Sequence, residues 1–193
     1  SKYDRALRGE AELSFLEMTG RSLFFSEFTS CTICHQLHGN GDPVNRSRET
    51  FTGYEYHNVG APPNVVARGP NPPVDPGLLD NPAIDDPGAR GKFKTPTLRN
   101  IAITAPYMKD GVFRELRTVL EFYERFTNPE VRDTNPETGQ PWRDPEVPET
   151  VAEDLLKAGR PLTDSELVAL ECFLRTLTDQ RYEHLLPDDG LCE

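Results

Sequence analysis

The sequence predicts a mostly α-helical domain with long irregular loops, and three observations carry that expectation. Two stretches, Leu13–Met18 and Leu162–Leu167, each carry a complete helix-start signal. Apolar residues after residue 113 and after residue 165 recur at helical spacing. Between the helical stretches, Pro, Gly, Asn and Asp dominate for tens of residues, and Pro62-Pro63 and Pro72-Pro73 forbid helix there.

Taken in order, the first element is the helix opening at Leu13. Ser14 can cap it, Glu17 can close a capping box, and Leu13 can staple onto Met18. Leu23, Phe24 and Phe25 continue an apolar face up to Cys31-Thr32-Ile33-Cys34-His35. That run reads C-x-x-C-H, the attachment signature of a c-type haem. Two thiols three residues apart can each form a thioether to a haem vinyl, and His35 then lies beneath the iron as its proximal ligand. The chain has no second C-x-x-C to complete a four-cysteine zinc site, and no strand–helix alternation suggesting a thioredoxin fold. The expectation is one covalently bound haem.

From Gly39 to Arg90 no helical period persists. Irregular chain of this length in a compact domain needs a reason, and a haem supplies one as an apolar surface for loops to wrap. His38 and His57 lie in or near this stretch. They read as ordinary loop histidines, with iron ligation as the alternative. A turn at Asp110-Gly111 precedes a helix expected from about Phe113, where Leu116, Val119, Leu120 and Tyr123 share a face. Trp142, the only tryptophan, reads as a packing anchor in a polar loop. A short helix follows around Val151–Lys157. The last helix has Thr163 as cap and Glu166 as box, with a buried stripe of Leu167, Leu170, Leu174 and Leu177. It reads as the terminal helix of a cytochrome c-type domain, packed on the first helix. The 193 residues suit one domain spanning 1–193.

The net charge of -11 disfavours nucleic acid as a partner, since no basic stripe could meet phosphate. It is consistent with simple solubility or with steering of a basic redox partner. No apolar run is long enough to span a membrane. Thioether attachment implies assembly outside the cytoplasm, so a periplasmic location is expected, and a chain opening on Ser1-Lys2-Tyr3 reads as processed or excised. Cys172 and Cys192 would be free there either to pair or to remain separate thiols.

Further motifs run in order along the chain: Tyr3-Asp4-Arg5 with Gly9, Gly20-Arg21-Ser22-Leu23-Phe24, His57-Asn58-Val59-Gly60, and Phe93-Lys94-Thr95-Pro96-Thr97-Leu98-Arg99-Asn100-Ile101-Ala102. Ala105-Pro106-Tyr107-Met108 and Asp110-Gly111 complete them. With these pieces the chain resembles the C-terminal haem domain of the bacterial di-haem cytochrome c peroxidases and the related methylamine-utilisation (MauG-like) enzymes. The resemblance bears on the sixth iron position. Read from the residues, Met108 is a candidate, because a thioether commonly partners histidine. The family places its distal ligand, Met or Tyr, seven residues beyond a leucine, which puts Leu116 and Tyr123 in those roles and favours Tyr123. The resemblance also implies a Ca²⁺ held by the carbonyls of Thr104 and Pro106 together with ligands from a second domain. Arg99 is a candidate partner for a haem propionate, with a surface salt bridge as the alternative. Lys109 stands where the family often has His. The family's N-terminal haem domain, with its own C-x-x-C-H, is not in this sequence.

The function expected is electron transfer through one haem c, with no catalytic residue assigned. The alternatives are the electron-transfer half of a di-haem peroxidase or MauG-like oxidase acting on hydrogen peroxide, and a haem-based ligand sensor. The expected partners are a redox protein, a second haem domain or chain, or a second copy in a homodimer.

Overall fold

A computed structural model describes residues 1–37 and 49–193, so His38 lies outside the described residues. The described chain is mostly helical with little strand. Its helices are α1 (Lys2–Leu7), α2 (Phe15–Phe24), α3 (Cys31–Cys34), α4 (Val65–Arg68), α5 (Leu116–Glu124), α6 (Glu153–Leu156) and α7 (Asp164–Arg175). Four two-residue strands, β1 (Tyr56–His57), β2 (Phe93–Lys94), β3 (Thr134–Asn135) and β4 (Gln140–Pro141), form two antiparallel pairs, β1–β2 and β3–β4. Tyr56 faces Lys94 and His57 faces Phe93. Strands this short leave no alternation to read, and sequence periodicity does not reveal them.

Both expected capping boxes are present. Ser14 Oγ accepts from the Glu17 N–H, while the Glu17 carboxylate accepts from the Ser14 N–H at 2.7 Å. Thr163 and Glu166 repeat the arrangement at α7. A third box, Ser1 with Asp4, starts α1. At α7 Arg160 also donates to Glu166 at 2.5 Å. That guanidinium bond first, and the Thr163 N–H second, hold the Glu166 carboxyl down at about 2. A depressed carboxylate stabilises the fold above its unfolded pKa and loses that contribution as pH falls through its folded pKa. Cap stability of about 1 kcal/mol is therefore expected to disappear between pH 4.5 and about 2. Urea midpoints measured across this range should fall more steeply for the wild type than for Glu166→Gln.

The core lies between α2 and α7, with α5 packed on α7 from the side. The stripe Leu167, Leu170, Leu174 and Leu177 is buried as expected. At the crossing of α2 and α7, Gly20 lets the two backbones touch: a Cβ there would sit 1.8 Å from the Ala169 carbonyl oxygen. Tyr3, Phe24, Phe25, Phe51 and Phe173 form an aromatic cluster with centroids 5.1–6.4 Å apart, mostly edge to face. Cys172 in α7 is bonded to Cys192, with the Cα atoms 5.4 Å apart. This bond, with Arg175 gripping Asp189, ties the C-terminal tail to α7.

The helix expected from Phe113 starts later, at Leu116. Tyr107 and Phe113 pair in a β-bridge, the Tyr107 N–H donating to the Phe113 carbonyl at 2.7 Å, which takes Phe113 out of the helical ladder. Trp142 is a packing anchor, as expected. Its Nε1 donates to the Arg132 carbonyl at 2.8 Å, and its ring meets Phe113 and Phe122 edge on. No described helix is long and apolar enough to cross a membrane.

Candidate haem site

The site is built on α3, a single turn with Cys31 and Cys34 at its ends and His35 at its C-cap. Ser30 enters it in the left-handed region (φ 57), and its hydroxyl donates to the Ala158 carbonyl, tying the turn to the segment before α7. Both cysteines are free thiols. Burial pushes Cys31 up to about 11, and burial raises Cys34 as well.

His35 is held by backbone. Its Nδ1 lies 2.8 Å from the Phe51 carbonyl. A carbonyl only accepts, so Nδ1 carries the proton and Nε2 is the bare nitrogen, the arrangement of a metal-ligating histidine with an outer-shell partner. Desolvation lowers the His35 pKa, which favours the neutral ring a metal needs. Phe51 is fully buried with φ 55, pinned among Tyr3, Phe24 and Phe173, and this places its carbonyl under the imidazole. The Gly53 N–H donates to the Cys34 carbonyl at 2.8 Å. The segment after residue 49 thus braces the motif from below. No sequence signal marks Phe51, because the atom that matters is a carbonyl every residue has.

Tyr123 projects from α5. It keeps 36% of its surface, yet surrounding protein desolvates its hydroxyl, and the two motif thiols act on it electrostatically; together these raise its pKa. The two motif thiols lie within electrostatic reach of its hydroxyl. Met108 sits in the turn with φ 67 and packs against the hydrophobic core. Thr104 and Pro106 are exposed on the same turn. Among the described residues, no group of three or more His, Cys, Asp and Glu side chains could hold a metal ion.

The turn is anchored by ion pairs the sequence does not announce. Lys109 is 8% exposed at its side chain and contacts Glu146, with Asp75 3.6 Å away. Arg68 reaches the same Glu146 at 2.9 Å. Arg99 is engaged elsewhere: it grips Asp4 through both terminal nitrogens at 2.9 Å, and its Nε donates to the Glu49 carbonyl at 2.6 Å. The structure therefore places Cys31, Cys34, His35 and Tyr123 in one region and Arg99 in a network with α1.

The fold is that of a cytochrome c peroxidase-like protein. No protein-family model matches the chain. The methylamine utilization protein MauG of Paracoccus denitrificans is 46% identical over 97% of this chain and 49% of its own length. The diheme peroxidase BthA of Burkholderia thailandensis superposes with a TM-score of 0.77 at 32% identity, over all of this chain and 49% of that one. A MauG-like protein associated with microbial copper homeostasis superposes with a TM-score of 0.66 at 33% identity, over 98% of this chain and 50% of that one. The chain belongs to the MauG-like di-haem peroxidase family, and it spans about half the length of the relatives it matches.

These residues fit a haem c. Two free thiols at C-x-x-C spacing are available for thioethers, and His35 has its outer nitrogen tied and its inner one bare.

Proposed function

We propose that this chain is one haem-bearing half of a MauG-like di-haem oxidoreductase, with residues 1–193 forming one domain around one haem c. The observation that carries this reading is His35, held by the Phe51 carbonyl beside two free thiols, with Tyr123 in the same region. When bound, haem supplies a one-electron ferric/ferrous couple whose potential its axial ligands set. Cys31 and Cys34 anchor it. Phe51, through its carbonyl, keeps His35 neutral and oriented. Tyr123 would be the second side chain to hold the iron, and Met108 stays with the core. The peroxide chemistry named for the relatives belongs, on this reading, to the two halves together, and this half relays electrons. Calcium at Thr104 and Pro106 would need further ligands from the other half. Thioether assembly puts the protein in the periplasm.

A stand-alone electron-transfer cytochrome is the second reading. The relatives favour the peroxidase-like reading over it. The test is periplasmic expression with the haem-attachment machinery. A pyridine haemochrome of the purified chain should show one covalent haem per chain. Cys31→Ala with Cys34→Ala should lose all of it. Hydrogen peroxide turnover should be absent from this chain alone and appear when the complementary half is supplied. Peroxide turnover by the isolated chain, or a wild type without covalent haem, would sink the proposal.

A further inference from the structure

His57 is a half-buried histidine whose Nε2 has no hydrogen-bond partner among the described residues. It sits in β1 opposite Phe93, and its side chain is 16% exposed. Nε2 is shielded from solvent and makes no hydrogen bond within the described structure. The nearest carboxylate, Glu55, is 3.4 Å away and lies largely in solvent, without the alignment a hydrogen bond requires. A buried polar nitrogen without a partner is costly and calls for an explanation. The path of the chain suggests one. Phe51, six residues earlier, holds His35, and Gly53 bonds the backbone of Cys34. The same segment then turns into β1, which is fastened to β2 by the Thr95 N–H donating to the Glu55 carbonyl at 2.8 Å. His57 therefore follows, on the same stretch of chain, the residues that brace His35 and Cys34.

A c-type haem carries two propionates that seek donors, and Arg99 is the candidate donor read from sequence. Its guanidinium, however, is already committed to Asp4, Ser1 and the Glu49 carbonyl. We propose that His57 donates Nε2–H to a haem propionate, and that this imidazole rather than the Arg99 guanidinium holds the propionate in place. The inference rests on the haem reading above. It assigns His57 a positioning role, without coordination to iron.

Resonance Raman spectra of the haem-loaded chain test it through the propionate bending mode, alongside the midpoint reduction potential. In the wild type the mode should shift between H₂O and D₂O, because the donor proton exchanges. His57→Phe should move the mode to lower frequency and lower the potential, since a propionate charge left uncompensated favours ferric iron. His57→Gln, which still carries an N–H donor, should recover most of both. Arg99→Gln should leave the mode in place. A mode that moves in Arg99→Gln and not in His57→Phe overturns the proposal. If His57→Phe does not load haem, the wild type decides alone, and a mode insensitive to D₂O overturns it. A wild type that holds no covalent haem would instead overturn the haem reading, and a haemochrome assay separates that failure from this one.

Discussion

Gly20→Ala is expected to cost about 3 kcal/mol or more, despite adding a better helix former to the interior of a helix. The added Cβ would lie 1.8 Å from the Ala169 oxygen, 2.4 Å from its carbonyl carbon and 2.9 Å from the Leu170 nitrogen. All three are backbone atoms of α7, so no side chain can rotate away. Relief requires α2 and α7 to separate, and overpacking of this kind costs about 1–3 kcal/mol and sometimes more. Helix propensity acts in the opposite direction by about 1 kcal/mol. The sign of the measured change therefore tells which effect wins. Ser22→Ala, on the exposed side of the same helix, is the matched control and should stay within about 0.5 kcal/mol of wild type. Urea denaturation of the three proteins checks this. The loss should reach the haem site too. Phe24 and Phe25 lie at the end of α2 against Phe51 and Phe173, and Phe51 supplies the carbonyl that orients His35. Covalent haem content of Gly20→Ala should fall with its stability. A variant as stable as wild type would show that α2 and α7 can move apart at this crossing at little cost.

The parts of this molecule that could be read from sequence are those where chemistry and local geometry coincide. Ser14 with Glu17 and Thr163 with Glu166 announce helix starts because a capping box is a contact between near neighbours in sequence. The leucines of α7 announce a buried face because helical spacing puts them there. Cys31, Cys34 and His35 announce a haem because the spacing is the chemistry. Contacts across long sequence separations leave no such mark. Lys109 with Glu146, Arg99 with Asp4, and Cys172 with Cys192 are pairings that only the fold decides. The placement of Arg99 illustrates the difference. A guanidinium suits a propionate, and the sequence holds no sign that Asp4 would take it. Phe51 is the sharpest case, since its contribution to the site is a main-chain oxygen in a left-handed residue.

Tyr123→Met is expected to raise the haem midpoint potential by on the order of 100 mV, roughly fiftyfold in the ferric-to-ferrous ratio at about 59 mV per decade for one electron. Phenolate oxygen is a hard anionic donor that stabilises ferric iron, whereas a thioether is neutral, soft and favours ferrous iron. The position is rigid enough for the exchange to be read cleanly. Phe122, the neighbouring residue on α5, is fully buried and meets Tyr123 edge on at 5.8 Å. Methionine at 123 would start from the same helical Cα and have the reach of an unbranched chain. The ferric wild type should lack the near-infrared sulfur-to-iron band, and Tyr123→Met should gain it. Tyr123→Phe should leave iron five-coordinate, high-spin and open to carbon monoxide when reduced. A sulfur-to-iron band in the wild type would transfer the role to Met108. That outcome demands that the thioether leave the core cluster it packs against and that the turn at φ 67 reorganise. Lys109, next to Met108, is buried against Glu146, which also binds Arg68. Moving the turn would break this pairing and leave buried charges uncompensated, a cost of about 3–5 kcal/mol when one partner is lost. On the reading proposed above, the ion pairs that fix the turn favour α5 as the source of the sixth ligand.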